Sequence, residues 1–241
     1  MSQELNHLNQ PIGIVVPNWK PASPPGHNPL AGKYCRVERL DPTRHAAELF
    51  EANAVDQTGA NWTYLPYGPF ANLEDYKVWM NRDCRGADPL FYAIVDQITD
   101  VAVGVASFLR IDPANGSIEV GHINYSPLLQ RTIAATEAMY LMMQHVFEQG
   151  YRRYEWKCNA LNLPSRIAAQ RLGFSYEGVF RQAAVVKGRN RDTAWYAMID
   201  AEWPALQEGF RKWLDPENFD AERKQQTPLA TFTSPLLKAR G

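Results

Sequence analysis

Ala135, Met139, Met142, Met143 and Val146 recur at i, i+4, i+7, i+8 and i+11, one apolar stripe along a helix. Gly150 follows as the residue that closes it. Upstream, Asp41-Pro42 and Asn72 are helix starts: Asp caps with Pro at the first helical position, and Asn72 opens a helix over 73–82 with Asp75 set for a capping-box variant. Segments 34–40, 91–95, 101–109, 117–125 and 151–159 are predicted strands, with turns at Thr99-Asp100 and at Asp112-Pro113-Ala114-Asn115-Gly116. Pro164 to Leu172 is a short helix, and 178–187 with 193–199 form a hairpin around Gly188-Arg189-Asn190. Helices set among strands, with hairpins at both ends, predict a mixed α/β sheet.

The ends differ from the middle. Residues 1–31 carry Pro11, Pro17, Pro21, Pro24, Pro25 and Pro29, a density that prevents a helix and favours an extended arm. Such an arm could lie over the domain, reach a neighbouring subunit of a homodimer, or remain a loose tail. Residues 216–241, most clearly 221–241, are polar with scattered apolar positions and form a second tail, leaving 32–215 as the domain.

Composition narrows the function. A net charge of −1 over 241 residues argues against a strongly basic nucleic-acid binder. No apolar run approaches the roughly 20 residues of a bilayer span, and the N-terminus lacks the layout of a signal peptide. Cys35, Cys84 and Cys158 show no metal-ligand spacing, so a cytoplasmic protein with reduced thiols, no metal and no membrane or nucleic-acid partner is expected.

The stretch from 117 to 174 carries the chemistry. A strand, Ser117 to Tyr125, gives way to a short loop and an abrupt helix start at Gln130-Arg131-Thr132-Ile133-Ala134-Ala135-Thr136. Backbone N–H groups at such a junction can hold a diphosphate. Taken alone, the loop is a weak motif and reads better as an ordinary apolar helix entry. Downstream come Asn162-Leu163-Pro164-Ser165 and then Leu172-Gly173-Phe174, where Asn162 and Ser165 alone would be turn and cap residues.

In order and spacing these segments resemble the acyl-CoA-binding half of the GNAT superfamily of N-acetyltransferases, in its ribosomal-protein N-acetyltransferase-like (RimJ/RimL) branch. Gln130 and Ala135 match the ends of that family's Gln/Arg-x-x-Gly-x-Gly/Ala loop, and Ile133 stands where it has a central glycine. Glu119-Val120-Gly121-His122 resembles the branch's Glu-x-Gly-aromatic strand. The resemblance implies a mostly antiparallel central sheet with a splayed strand pair and helices on both faces. It implies acetyl-CoA as acyl donor, its diphosphate at 130–136 and its pantetheine against backbone at Ile123, Asn124 and Tyr125, with Asn162 alongside. It also implies an acceptor pocket beside the aromatic segment containing Trp62, Tyr64 and Tyr67, a segment that on its own fits a satellite core equally well. The hairpin tip Lys187-Gly188-Arg189-Asn190-Arg191-Asp192 is placed on the same side, its three cations able to attract an acidic acceptor.

Acetyl transfer from a thioester to an amine needs a neutral amine, a stabilised oxyanion and a protonated leaving thiolate. An α-amine, with a pKa of about 7.7–8.0, is far easier to neutralise than a lysine at about 10.4. Glu119 is the candidate base through water, with His122 second, and the resemblance implies Ser165 as the acid for the thiolate. No Cys or Ser stands in a recognisable nucleophile setting, so direct attack on acetyl-CoA by a peptide N-terminus or small-molecule amine is expected. A non-catalytic acyl-CoA-binding module, suggested by Ile133, and a transferase using another donor such as succinyl-CoA remain alternatives.

Overall fold

The computed structural model describes residues 4–241. Ten strands and six helices are present: β1 (Glu4–Leu5), β2 (Pro11–Ile12), β3 (Leu30–Ala31), β4 (Cys35–Arg39), α1 (Pro42–Ala54), α2 (Leu73–Asp83), β5 (Leu90–Asp96), β6 (Ala102–Asp112), β7 (Ser117–Tyr125), α3 (Ile133–Glu148), β8 (Arg153–Asn159), α4 (Leu163–Arg171), β9 (Ser175–Val186), β10 (Arg189–Ile199), α5 (Trp203–Leu214) and α6 (Leu229–Thr233). β3 to β10 form one sheet in the order β3-β4-β5-β6-β7-β8-β10-β9. Every neighbouring pair is antiparallel except β7 and β8, which run parallel with α3 as the crossover.

The central strands β5 and β6 are buried along most of their length because helices cover both faces. On one face Leu49 of α1 and Tyr76, Trp79 and Met80 of α2 pack on Phe91, Ala93 and Val105. On the other, Met139, Met142, Met143 and Val146 of α3 pack on Phe108, Val120 and Tyr154. The helix starts follow their caps: Asp41 accepts from Thr43 N, and Asn72 from Asp75 N. Gly150 takes φ 89° just past α3, where a Cβ would be strained. The turn between β9 and β10 is Lys187-Gly188, both with positive φ, one step before its expected centre.

Three elements depart from the sequence expectations. The first is α5, an amphipathic helix burying Trp203, Leu206, Phe210 and Trp213 against the α3 side of the sheet. The second is the C-terminal segment, which is packed rather than a tail. Leu229 and Thr233 are fully buried, Lys238 N donates to Ser175 Oγ, and Tyr176 N donates to Ala239 O. Average polarity concealed a few apolar side chains that suffice once a groove beside α5 receives them. The third is the arm. Residues 4–12 form an exposed two-stranded ribbon, whereas Trp19 and Ala22 hydrogen-bond to the β6–β7 turn, Ser23 to the end of α3, and β3 enters the sheet inside the segment assigned to the arm. Glu137 of α3 secures the entry: its carboxylate accepts the N–H groups of Lys33, Tyr34 and Cys35 at 2.8, 2.6 and 2.9 Å. Among the described residues no helix is long and apolar enough to cross a membrane.

Candidate active site

β7 and β8 pair from Ser117↔Arg153 to Val120↔Trp156, and there the ladder stops. β8 continues to Asn159 on β10, while β7 continues to Tyr125 on β6. A bulge parts them. Gly121 opposes Ser107 and Asn124 opposes Val105, so His122 and Ile123 share a single partner position, and His122 takes φ 50°. The parted strands, the start of α3 and the start of α4 line a cleft of about 1620 Å³. The bulge corrects one expectation from strand periodicity. Glu119 and Gly121 do share a face, but Ile123 turns to the α3-side core, and His122 instead lies against Phe91 and Tyr67 on the α1–α2 side.

At one end of the cleft the loop 126–132 leads into α3. Thr132 is the N-cap, its Oγ1 accepting from Ala135 N at 3.1 Å. The N–H groups of Ile133 and Ala134, first and second in the helix, have no intrahelical acceptor and form the cradle. The left-handed residue of the loop is Arg131, φ 62°, so Ile133 occupies the family's glycine position without needing positive φ. Gln130 Nε2 donates to Asn61 Oδ1 and Tyr125 O, tying the loop to the end of β7. Asn162 caps α4 through Ser165 N, and Ser165 Oγ accepts from Trp156 Nε1 at 3.0 Å. Ile123, Asn124, Tyr125, Gln130 to Thr136, Asn162 and Ser165 all line the cleft. So do Arg171, Arg223 and Lys224, which the sequence analysis did not single out. Arg223 and Lys224 look like solvated tail charges until the C-terminal segment returns beside α5, so no local signal marks them.

At the other end Glu119 is buried, with Oε2 accepting from Arg110 at 2.7 Å and Lys157 at 2.9 Å. Oε1 lies beside Gly121, has no hydrogen-bond partner among the described residues, and belongs to a side chain that lines the cleft. Burial pushes the Glu119 carboxyl above its ordinary range, against the pull of Lys157 and Arg110. His122 is pushed down to about 4, by burial first and then by Arg110 and Arg191. Its Nδ1 is hydrogen-bonded to Tyr67 Oη at 3.1 Å, with the two rings stacked.

The aromatic segment divides. Tyr64 lines the cleft and donates to Leu161 O across it. Tyr67 contacts the site through His122. Trp62 does not face the cleft: it is buried among Tyr67, Phe70 and Tyr76, the satellite-core alternative, because Gly68 admits the indole face where any Cβ would collide.

Residues 36–175 match the family described as the acetyltransferase (GNAT) domain. The chain is 34% identical over 102 residues to the ribosomal-protein-serine acetyltransferase of Escherichia coli (strain K12), a match spanning 42% of this chain and 56% of that protein. Its fold is similar to the crystal structure of a GCN5-related N-acetyltransferase from Brucella melitensis (TM-score 0.88, 46% identity, 90% of this chain and 98% of that one). It is also similar to a probable GNAT-family acetyltransferase from Chromobacterium violaceum ATCC 12472 (TM-score 0.76, 39% identity, 81% and 98%).

Proposed function

The chain belongs to the GNAT acetyltransferase family, whose acyl donor is acetyl-CoA, and from that premise we propose that it acetylates a primary amine by direct attack in the cleft between β7 and β8. The observation that carries this is the parting of the two strands with Glu119 on one wall and Ser165 on the other. The cradle fits the donor: free N–H groups at the start of α3 suit a diphosphate, and Arg171, Arg223 and Lys224 supply positive charge at the same end. Acetyl-CoA supplies the activated acyl carbon; the chain's residues position it and move protons.

Glu119 Oε1 accepts the ammonium proton of the acceptor through water, and its raised pKa narrows the gap to an α-amine. His122, held neutral, orients the acceptor with Tyr67 and Tyr64. Ser165 holds a proton on Oγ for the departing sulfur: Trp156 donates into one lone pair, so the O–H is oriented as a donor. An α-amine, of a peptide N-terminus or a small molecule, is favoured because it loses its proton most easily. The name of the Escherichia coli relative supports a protein acceptor. The three cysteines, all free and buried, support a reducing, cytoplasmic setting.

The test combines calorimetry with CoA and a thiol-release assay with acetyl-CoA over a panel of α-amines and ω-amines. Binding and turnover of at least one amine are expected. No heat and no thermal shift at millimolar CoA would overturn the reading. Binding without any turnover would leave an acyl-CoA-binding module, and faster turnover with succinyl-CoA would reassign the donor.

A further inference from the structure

We propose that Arg191 recognises a carboxylate on the acceptor, so that the substrate is an amine carrying an acidic group: a free amino acid, or a peptide with an acidic residue next to its N-terminus. The proposal rests on the amine-acetylation reading and adds the acceptor class to it.

The hairpin tip carries three cations, and the structure separates them. Lys187 Nζ is taken up by the carbonyls of Trp62 and Gly68, both at 2.9 Å, and pins the hairpin to the aromatic segment. Arg189 is exposed. Arg191 is partly buried and lines the cleft. Its Nε is fully buried without a hydrogen-bond partner, and among the described residues it forms no ion pair.

The carboxylates that could have served it are engaged elsewhere. Asp192 Oδ1 accepts from Gln182 N and Asn190 Nδ2. Glu119 takes Arg110 and Lys157, and Glu155 takes Lys157 and Arg153. A buried N–H left unpaired is destabilising, and an arriving acceptor group that pairs it offsets that cost. A guanidinium matches a carboxylate through two parallel hydrogen bonds, so the unpaired group selects that chemistry. Its place is the acceptor end, since Lys187 pins the same hairpin to the aromatic segment that carries Tyr64 and Tyr67. The donor end has its own cations in Arg131, Arg171, Arg223 and Lys224.

The experiment uses matched pairs of primary amines that differ only in a carboxylate or its carboxamide. One arm compares free amino acids with their amides; the other compares amidated tripeptides with Asp or Asn at the second position. Binding to the CoA-saturated enzyme is followed by calorimetry, and acetylation by thiol release. In at least one arm the acid should bind at least about tenfold more tightly, as a charge-assisted pair allows. Arg191→Gln should erase that preference, Arg191→Lys should keep part of it, and both should bind CoA as the wild type does. Equal binding or no binding of both members in both arms, a preference that survives Arg191→Gln, or a tenfold loss of CoA affinity in that variant would each overturn the proposal. Acids that bind through Arg191 and are never acetylated would sustain the recognition site and overturn the acetylation reading instead.

Discussion

The indole N–H of Trp156, on β8, donates to the hydroxyl oxygen of Ser165, on α4, at 3.0 Å. The bond spans the side of the cleft where β8 has left β7, so the last residue of the parallel ladder orients the proposed acid. An N–H donated into Oγ also eases the release of its own proton.

Ser165→Ala should therefore lower kcat by roughly 10²-fold and change the KM for acetyl-CoA little, because leaving-group protonation matters only in the transition state. Trp156→Phe should lower kcat less, by several-fold, since the hydroxyl remains but loses its orientation. Steady-state kinetics with saturating acceptor check both. An unchanged kcat with a raised KM would make Ser165 a binding residue.

Glu119→Gln keeps the shape and removes the charge. The variant should lose kcat/KM at neutral pH and recover part of it at high pH, where the amine deprotonates unaided. Recovery should need a higher pH for a lysine-like acceptor than for an α-amine. If the pH profile overlays that of the wild type, the proton leaves by another path.

Ile133 is the first residue of α3, a position where proline is tolerated because the helix does not use that N–H. Ile133→Pro should thus fold normally and bind CoA at least about tenfold more weakly, having lost one donor to the diphosphate. Ile133→Gly should stay within several-fold of wild type. Calorimetry on the two variants checks the backbone account, and an unchanged affinity of the proline variant would refute it.

His122 titrates near 4 in the fold against an ordinary value of 6.5. The unfolded chain therefore binds the proton first as pH falls. The contribution to stability is complete above pH 6.5 and disappears as pH drops through about 4, a loss on the order of 3 kcal/mol. His122→Asn suits the left-handed backbone and cannot take up that proton. Denaturant unfolding between pH 7.5 and 4 should show the wild type losing stability faster than His122→Asn; parallel curves would remove His122 as the cause.

Glu137→Gln puts a donor in place of one oxygen of a carboxylate whose two oxygens together accept three backbone N–H groups. The protein should be destabilised by roughly 2–4 kcal/mol, with little change in CoA affinity per folded molecule. Urea unfolding checks the first expectation and calorimetry the second.

The amino-acid sequence by itself determined most of the elements from β4 to β10 and most of their ends. Caps such as Asp41 and Asn72, the apolar stripe of α3 and the turn at 112–116 act within one or two helical turns or strand residues, so their causes lie side by side in the chain. The order of the loop, the strand and α4 also carried the family resemblance, and it was the resemblance that implied the cleft. The sequence left open which side chains are free to act. Glu119 is sequestered on one oxygen by Lys157, 38 positions away, while the other has no partner among the described residues. Trp62 belongs to a core, Lys187 is anchored 125 positions back along the chain, and Arg191 is left without a partner. Arg223 and Lys224 reach the cleft because distant apolar contacts return the C-terminal segment to the domain. Pairing and burial are set by contacts between segments far apart in the chain, and a residue's availability for chemistry is what remains after those contacts are made.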